Sequence, residues 1–147
     1  TRKDLEAFRF LTPPASPLYT PGTAPERCTA LTGVFMENDV ILVLSSASSE
    51  KEAMDIAQKL VEQELAACVN VVPAVRSVYR WKGKIWNEVE YMMFIKTASP
   101  LFEEVKKTIK ELHSYELPEV LSVKIDDGEK NVLSWIGASV KGGRERF

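Results

Sequence analysis

The chain has 147 residues, of which 45% are apolar and 27% charged, a composition typical of one globular domain and not of a disordered chain. Nineteen Lys and Arg residues against 21 Asp and Glu residues leave a net charge of -2, so no overall positive field attracts nucleic acid or anionic membrane. Uninterrupted apolar runs such as Val40–Leu44 are far shorter than the roughly 18 residues of a membrane-spanning helix. We therefore expect no nucleic-acid partner and no membrane span.

Residues 1–35 differ in composition from the rest of the chain, because they contain five of the eight prolines and little hydrophobic periodicity. This pattern predicts a flexible, extended tail, followed by one domain over residues 36–147. Cys28 and Cys68 form no CxxC motif, which excludes a zinc knuckle or thioredoxin-type pair and favours a reducing compartment. We expect a cytoplasmic protein, with an organelle as the alternative if the tail is a targeting segment.

The first strand and helix are predicted from short patterns. Val40–Leu44 is a β-rich apolar run, as in a strand buried on both faces. Ser49 and Glu52 have the spacing of a capping box, which opens a helix. Its apolar stripe, with spacings of three and four, continues to about residue 66.

Residues 68–81 and 84–97 predict a long β-hairpin with its turn at Lys82-Gly83. Pro73 must mark a bulge or an unpaired edge position. Two strands of about 13 residues at 3.3 Å each would reach about 40 Å, whereas the first helix is only about 27 Å long at 1.5 Å per residue. The hairpin should therefore extend beyond its own domain and expose aromatic rings that other subunits cover. The predicted interface residues are Tyr79, Trp81, Trp86 and Tyr91.

The second half completes an α+β fold. Ser99-Pro100 predicts the start of a helix through Leu112, Val120–Ile125 predicts the fourth strand, and Val132–Val140 a short C-terminal helix. This βαββαβ order predicts a ferredoxin-like sandwich with both main helices on one sheet face.

His113, the only histidine, follows the second helix. A position at a helix C-terminus favours a histidine through the macrodipole alone, and this is our preferred interpretation. As a catalytic base it would need an orienting carboxylate, and as a metal ligand it would need companions such as Glu90 or Glu119. Glu88 and Glu90 share one sheet face, which indicates a solvated surface more often than a cation site.

Several motifs together resemble the CutA family of divalent-cation-tolerance proteins. They are Glu64-Leu-Ala-Ala-Cys-Val-Asn70, Ser77-Val-Tyr-Arg-Trp-Lys-Gly-Lys84, Lys96-Thr97, His113-Ser-Tyr-Glu-Leu-Pro-Glu119 and Leu133-Ser-Trp135. The resemblance covers about residues 39–140. It implies a ferredoxin-like subunit, a homotrimer similar in shape to PII signalling proteins, and an ability to bind copper.

Matching the family residue by residue implies a cleft. Its members would be Glu90, Lys96, His113, Tyr115 and Glu119. Two departures weaken a soft copper site: Ser45 stands where some bacterial relatives have Cys, and Leu112 where some have a second His.

These observations lead to three functional hypotheses. The first is a non-enzymatic homotrimer that binds a divalent metal, such as copper, weakly at clefts between subunits through His113, Glu90 and Glu119. The alternative is a trimeric scaffold or signalling protein that binds a protein partner or a small metabolite. The third is an enzyme that uses His113 with a carboxylate, which we disfavour because no nucleophile is evident.

Overall fold

Four strands and three helices follow one another in a computed structural model that describes residues 39–143. The predicted tail, residues 1–35, lies outside the described residues. The strands are β1 (Val40–Ala47), β2 (Cys68–Trp81), β3 (Lys84–Ala98) and β4 (Leu121–Lys124), and the helices are α1 (Glu50–Glu62), α2 (Phe102–Leu112) and α3 (Lys130–Ala138). The chain is thus α+β, with the predicted βαββαβ order and a C-terminal helix.

The sheet has the strand order β2-β3-β1-β4, and every neighbouring pair is antiparallel. Val43 of β1 and Ile95 of β3 are register partners, so their side chains share a face. Both belong to the core cluster that contains Ile56 of α1 and Ile109 of α2. The two main helices therefore pack on one face of the sheet, which confirms the ferredoxin-like prediction.

The long hairpin is confirmed, with 14 residues in β2 and 15 in β3. Lys82 and Gly83 both have positive φ, 48° and 79°, as a type I′ turn requires. The register shifts between Val72 and Val75, where Pro73 was predicted to mark a bulge or edge position. Pro73 and Ala74 have no register partner on β3, so the missing amide of Pro73 costs no ladder hydrogen bond.

The first helix ends earlier than predicted, at Glu62 instead of about residue 66. Glu64 takes a positive φ of 56°, which reverses the chain, and the amide of Ala66 donates to the carbonyl of Leu60. Leu65 is nevertheless only 3% exposed, because the turn folds it back onto the core. Leu65 therefore continues the apolar spacing of the helix in the sequence, although it lies beyond the end of the helix.

The helix start predicted at Ser99-Pro100, with Ser99 as the capping residue, is confirmed only in part. Ser99–Leu101 forms a single 3₁₀ turn that follows Ala98, and no side chain caps it. The α-helical part begins only at Phe102. Pro100 still lies in the first turn, where its missing amide needs no partner.

Apolar side chains remain exposed on the distal part of the hairpin. Val78 is 68% exposed and Ile85 61%. In contrast, Val43 and Ile95 in the helix-covered part of the sheet are 0% exposed. Within residues 39–143, no helix has the length and hydropathy needed to cross a membrane.

Candidate functional site: an acidic cleft beside the hairpin

A cleft of about 580 Å³ lies between the hairpin and the segment that follows α2. β1 contributes Ser46 and β3 contributes Glu90 and Met92, which lie close because Ser46 and Met92 are register partners. The complete lining is Ser46, Ser77, Val78, Tyr79, Trp81, Glu90, Met92, Ser114, Tyr115, Glu116, Leu117 and Glu119.

Glu90 lies at the wall of this cleft and is only 6% exposed. Its Oε1 accepts hydrogen bonds from the hydroxyls of Ser46, at 3.2 Å, and Tyr115, at 3.0 Å. Burial and the hydrogen bond to Glu90 raise the pKa of Tyr115 above its usual value, so the phenol stays a proton donor. The sequence-based preference for a solvated Glu90 is wrong, because residues distant in sequence cover its carboxylate.

Two more aromatic rings line the cleft. The Tyr79 hydroxyl donates to Oε2 of Glu88 at 2.9 Å, and this hydrogen bond raises the pKa of Tyr79. Trp81 lies at the end of β2, beside the hairpin turn. Lys82 places its Nζ 5.4 Å from the ring centroid of Trp81 and 2.8 Å from Oε2 of Glu116. An ammonium group thus already contacts one aromatic wall and one carboxylate of the cleft.

His113 is the C-cap residue of α2, and its side chain is fully buried. The backbone amide of Tyr115 donates to Nδ1 at 3.0 Å, so Nδ1 carries no proton. Nε2 then carries the proton and donates it to the carbonyl of Ser46 at 2.6 Å. The ring thus joins the α2 end to β1 through its two nitrogens, and Oε1 of Glu52 lies 3.8 Å from Nδ1.

Glu52 of α1 forms hydrogen bonds with the segment that follows His113 and with the loop before α1. Its Oε1 accepts a hydrogen bond from the amide of Ser114 at 2.5 Å, and its Oε2 accepts from the amide and hydroxyl of Ser48, both at 3.1 Å. Burial opposes ionisation, but these hydrogen bonds outweigh it and hold the pKa of Glu52 below its usual value. The predicted cap is confirmed in part: Ser49 accepts from the amide of Glu52, whereas Glu52 reaches Ser48 instead of Ser49.

The predicted metal residues do not form one compact ligand set within this chain. Among residues 39–143, no group of three or more His, Cys, Asp or Glu side chains is placed to hold a metal ion. Glu90 and Glu119 both line the cleft, but His113 does not, and both of its nitrogens are engaged. Ser45, where some relatives have Cys, is buried and donates its hydroxyl to the carbonyl of Glu119 at 2.7 Å.

Lys96, implied as a cleft residue by the family resemblance, does not line the cleft. It lies six residues from Glu90 on β3, which is about 20 Å along a strand. Its Nζ contacts Sγ of Cys68 at 3.6 Å and also donates to Oδ1 of Asn70. Lys96 and Tyr115 are therefore separated, and only Tyr115 contacts Glu90.

The four predicted interface aromatics lie in different surroundings. Tyr79 and Trp81 line the cleft, and Tyr91 packs partly buried against the core cluster of its own chain. Trp86 is 40% exposed, with its Nε1 donating to the carbonyl of Trp81 at 3.3 Å. Within one chain, Trp86 is thus the most exposed of these four rings.

The chain is similar to known proteins over most of its described residues. Residues 41–139 match the family model for the CutA1 divalent ion tolerance protein. The chain belongs to the CutA1 family. It is 40% identical to the divalent-cation tolerance protein CutA of Thermus thermophilus over 95 residues, which are 65% of this chain and 92% of that protein.

Two further CutA1 relatives extend the comparison. The chain is 34% identical to the chloroplastic protein CutA of Arabidopsis thaliana over 101 residues, which are 69% of this chain and 56% of that protein. The crystal structure of CutA from Xylella fastidiosa superposes with a TM-score of 0.68 at 35% identity, covering 70% of this chain and 99% of that structure. The CutA fold predicted from the motifs is therefore confirmed.

Sequence reasoning missed two residues of this CutA1 site. Ser46 supplies a hydroxyl to Glu90 and a carbonyl to His113, and Glu52 joins α1 to the loop after α2. The run Ser45-Ser46 directly after an apolar strand was the available signal for Ser46. The bond from Ser114 to Glu52 spans 62 residues, and no local pattern encodes it.

Proposed function

We propose that this CutA1-family chain acts as a non-enzymatic homotrimer in divalent-cation tolerance, binding copper weakly at clefts between subunits. The observation that carries the proposal is the hairpin, whose distal apolar side chains stay uncovered in a single chain. Five large apolar residues, here called the hairpin group, are 40 to 68% exposed: Val72, Val78, Ile85, Trp86 and Val89.

A second exposed set suits the hairpin group as a partner. The C-terminal group comprises Leu117, Leu121, Val123, Val132 and Trp135, which are 45 to 68% exposed. β2 and β4 form opposite edges of the sheet; β2 contains Val72 and Val78 of the hairpin group, and β4 contains Leu121 and Val123 of the C-terminal group. Contact between unlike surfaces of identical chains generates a ring when the rotation closes, and a trimer is such a ring.

The oligomer can be tested by native mass spectrometry of the full chain and of the variant Ile85→Asp. We expect the wild-type protein to have the mass of three chains. The variant should dissociate, because a carboxylate would be buried without a partner in the interface. Lys51→Asp, which introduces an aspartate on exposed α1, is the matched control and should remain trimeric. A trimeric Ile85→Asp variant would contradict the use of this surface.

Weak metal binding forms the second part of the proposal. The family description links such proteins to divalent ions, and Glu90 and Glu119 offer carboxylate oxygens in the cleft. A third donor would come from a neighbouring subunit, or from His113 if it gave up one of its two hydrogen bonds. Because copper prefers imidazole or thiolate ligands, this oxygen-rich set favours low affinity.

Calorimetric titration with copper(II) and zinc(II) tests this part. We expect Glu119→Gln to weaken binding at least about tenfold, which corresponds to 1.4 kcal/mol. Glu62→Gln on α1 removes the same charge at an exposed position far along the chain and should leave binding unchanged. Equal affinities for the wild type and Glu119→Gln would remove Glu119 from the metal site.

The non-enzymatic assignment is supported by the surroundings of His113. Its Nε2 contacts the carbonyl of Ser46 and not the hydroxyl, so the ring does not activate that serine. We expect no measurable turnover from the wild-type protein, and therefore no loss of turnover in the His113→Ala variant. A hydrolytic activity that disappears in this variant would instead support the enzyme hypothesis.

The volume of the cleft favours a second candidate function, a trimeric signalling or scaffold protein that binds a small metabolite or a protein partner. About 580 Å³ lies within the range of 300 to 1,000 Å³ that is typical of small-molecule sites. Mass spectrometry of compounds released from the purified, denatured trimer tests this candidate. A stoichiometric organic compound would support it, and a metal ion alone would favour the first function.

We further propose a cytoplasmic location, with an organelle as the alternative. The reducing cytoplasm suits Cys68, which carries a free thiol. The chloroplastic name of the Arabidopsis relative supports the alternative. Fractionation of cells that express the full chain with a C-terminal tag distinguishes the two compartments.

A further inference from the structure

We propose that the cleft binds a small organic cation, with an ammonium or guanidinium group paired to Glu90 and an apolar body against the aromatic wall. The proposal rests on the second candidate function above, small-molecule binding, and names the chemical class of the ligand. It is carried by the free oxygen of Glu90, the charges of the lining and the three aromatic rings.

The carboxylate of Glu90 is buried but only half satisfied. Both of its hydrogen bonds, from Ser46 and Tyr115, go to Oε1, and Oε2 accepts none from residues 39–143. Every fully buried polar side-chain atom in that part of the chain has a partner, so Oε2 is not fully buried, and Glu90 is one of the residues that line the cleft. A carboxylate removed from most of its water without a cation is costly, and a cation that donates hydrogen bonds to it offsets part of that cost.

The remaining charges of the lining have the same sign. Glu116 and Glu119 are the other charged residues that line the cleft, and the described lining contains no Lys, Arg or His. Lys82 approaches from outside the lining and pairs with Glu116. The carboxylates of the lining therefore give the cleft a negative potential that attracts cations and repels anions.

The aromatic rings favour an organic cation in particular. Tyr79, Trp81 and Tyr115 line the cleft, and the faces of such rings attract cations within about 6 Å of the centroid. Lys82 already shows this contact, with its ammonium nitrogen 5.4 Å from the Trp81 centroid. A ligand would reproduce deeper in the cleft the pairing of ring and carboxylate that Lys82 makes at Trp81 and Glu116.

A bare metal ion uses these features poorly. Within residues 39–143, no three metal-ligating side chains converge, and a cleft of about 580 Å³ is far larger than an ion. Hydroxyl and carboxylate oxygens are acceptors for N–H donors, which ammonium and guanidinium groups supply. The ligand should therefore carry N–H donors on its charged end.

The test uses calorimetry on the full chain in its native assembly near neutral pH, with phenethylamine and 2-phenylethanol as probes. The two compounds have nearly the same shape, but only the amine is charged. We expect the amine to bind at least about tenfold more tightly than the alcohol. Equal binding would overturn the cation proposal while leaving small-molecule binding intact. Failure of both probes, as when a neighbouring subunit fills the cleft, would overturn the proposal as well.

A pair of variants assigns the effect to Glu90. Glu90→Gln keeps the shape and can still accept from Ser46 and Tyr115, so we expect the protein to fold and to lose at least about tenfold in affinity for phenethylamine. Glu62→Gln is the charge-matched control and should bind like the wild type. Unchanged binding by a folded Glu90→Gln variant would overturn the proposal. If that variant does not fold, the comparison of amine with alcohol on the wild type still decides.

Discussion

The two halves of the β2–β3 hairpin differ in what their own chain provides to cover them. In the proximal half, Met93 and Ile95 lie under α1 and α2 and are 0% exposed. In the distal half, Val78 and Ile85 are 68% and 61% exposed, although both residues belong to the same two strands. Helices of 13 and 11 residues are shorter than strands of 14 and 15 residues at strand rise. One chain therefore covers the proximal half of the hairpin with its own helices and leaves apolar side chains of the distal half exposed.

The largest expected effect comes from comparing an isoleucine-to-alanine substitution in the proximal half with the same substitution in the distal half. Ile95→Ala should lower the free energy of unfolding by about 2 to 5 kcal/mol, because it leaves a cavity in a packed core. Ile85→Ala should mainly weaken subunit association, since its own chain leaves the side chain exposed. Chemical denaturation at several protein concentrations measures both effects. If Ile95→Ala lowered the free energy of unfolding no more than a substitution at an exposed position does, the two halves would not differ in this way.

A smaller effect is expected from the corner that Glu52 holds in the proximal half. Glu52→Gln should cost about 1.5 to 3 kcal/mol near neutral pH, because the carboxylate accepts hydrogen bonds from Ser48 and Ser114. The folded chain lowers the pKa of Glu52, so this stabilisation is complete above the unfolded value near 4.5. It is lost as the pH falls through the lower folded value.

Thermal unfolding of the wild type and of Glu52→Gln over an acidic pH series checks the sign. The difference between the two proteins should be largest near neutrality and shrink at acidic pH. Glu62→Gln on exposed α1 removes the same charge, still accepts the hydrogen bond from Gln58 and is the control that should shift stability little. A difference that stayed constant with pH would contradict the role of the ionised carboxylate.

The smallest effect concerns the start of α1. Ser49→Ala removes the side-chain acceptor for the amide of Glu52 and should cost about 1 kcal/mol. Ser49→Asp keeps an acceptor at the same position and should restore most of the loss. Urea unfolding measures both variants, and the number of chains in the assembly should stay unchanged, since α1 packs on the proximal half of its own chain. A change in the number of chains would contradict the distinction between the halves.

Local patterns predicted much of this fold. The turn at Lys82-Gly83, the bulge near Pro73 and the length of the hairpin all follow from residue types that restrict the backbone. The prediction failed where tertiary contacts override local signals. β1 runs on through Ser45 and Ser46 because their hydroxyls find partners at Glu119 and Glu90, far along the chain.

The site was less predictable than the fold. Glu90 resembles an exposed strand residue, and only the approach of Tyr115 and Ser46 shows that it is buried. The family motifs grouped Tyr115 with Glu90, to which its hydroxyl donates, and they also included Lys96, which lies elsewhere on β3. Lys96 and Glu90 are separated by six residues along β3, and a list of matched residues does not show that separation.

Sedimentation equilibrium of the full chain over a wide range of protein concentration measures whether a single chain is stable without partner chains. One chain has a mass of 16.5 kDa, and the uncovered hairpin predicts a particle of about three times that mass at micromolar concentration. Dilution should yield unfolding together with dissociation. A folded particle of 16.5 kDa at micromolar concentration would show that the exposed hairpin needs no partner chain.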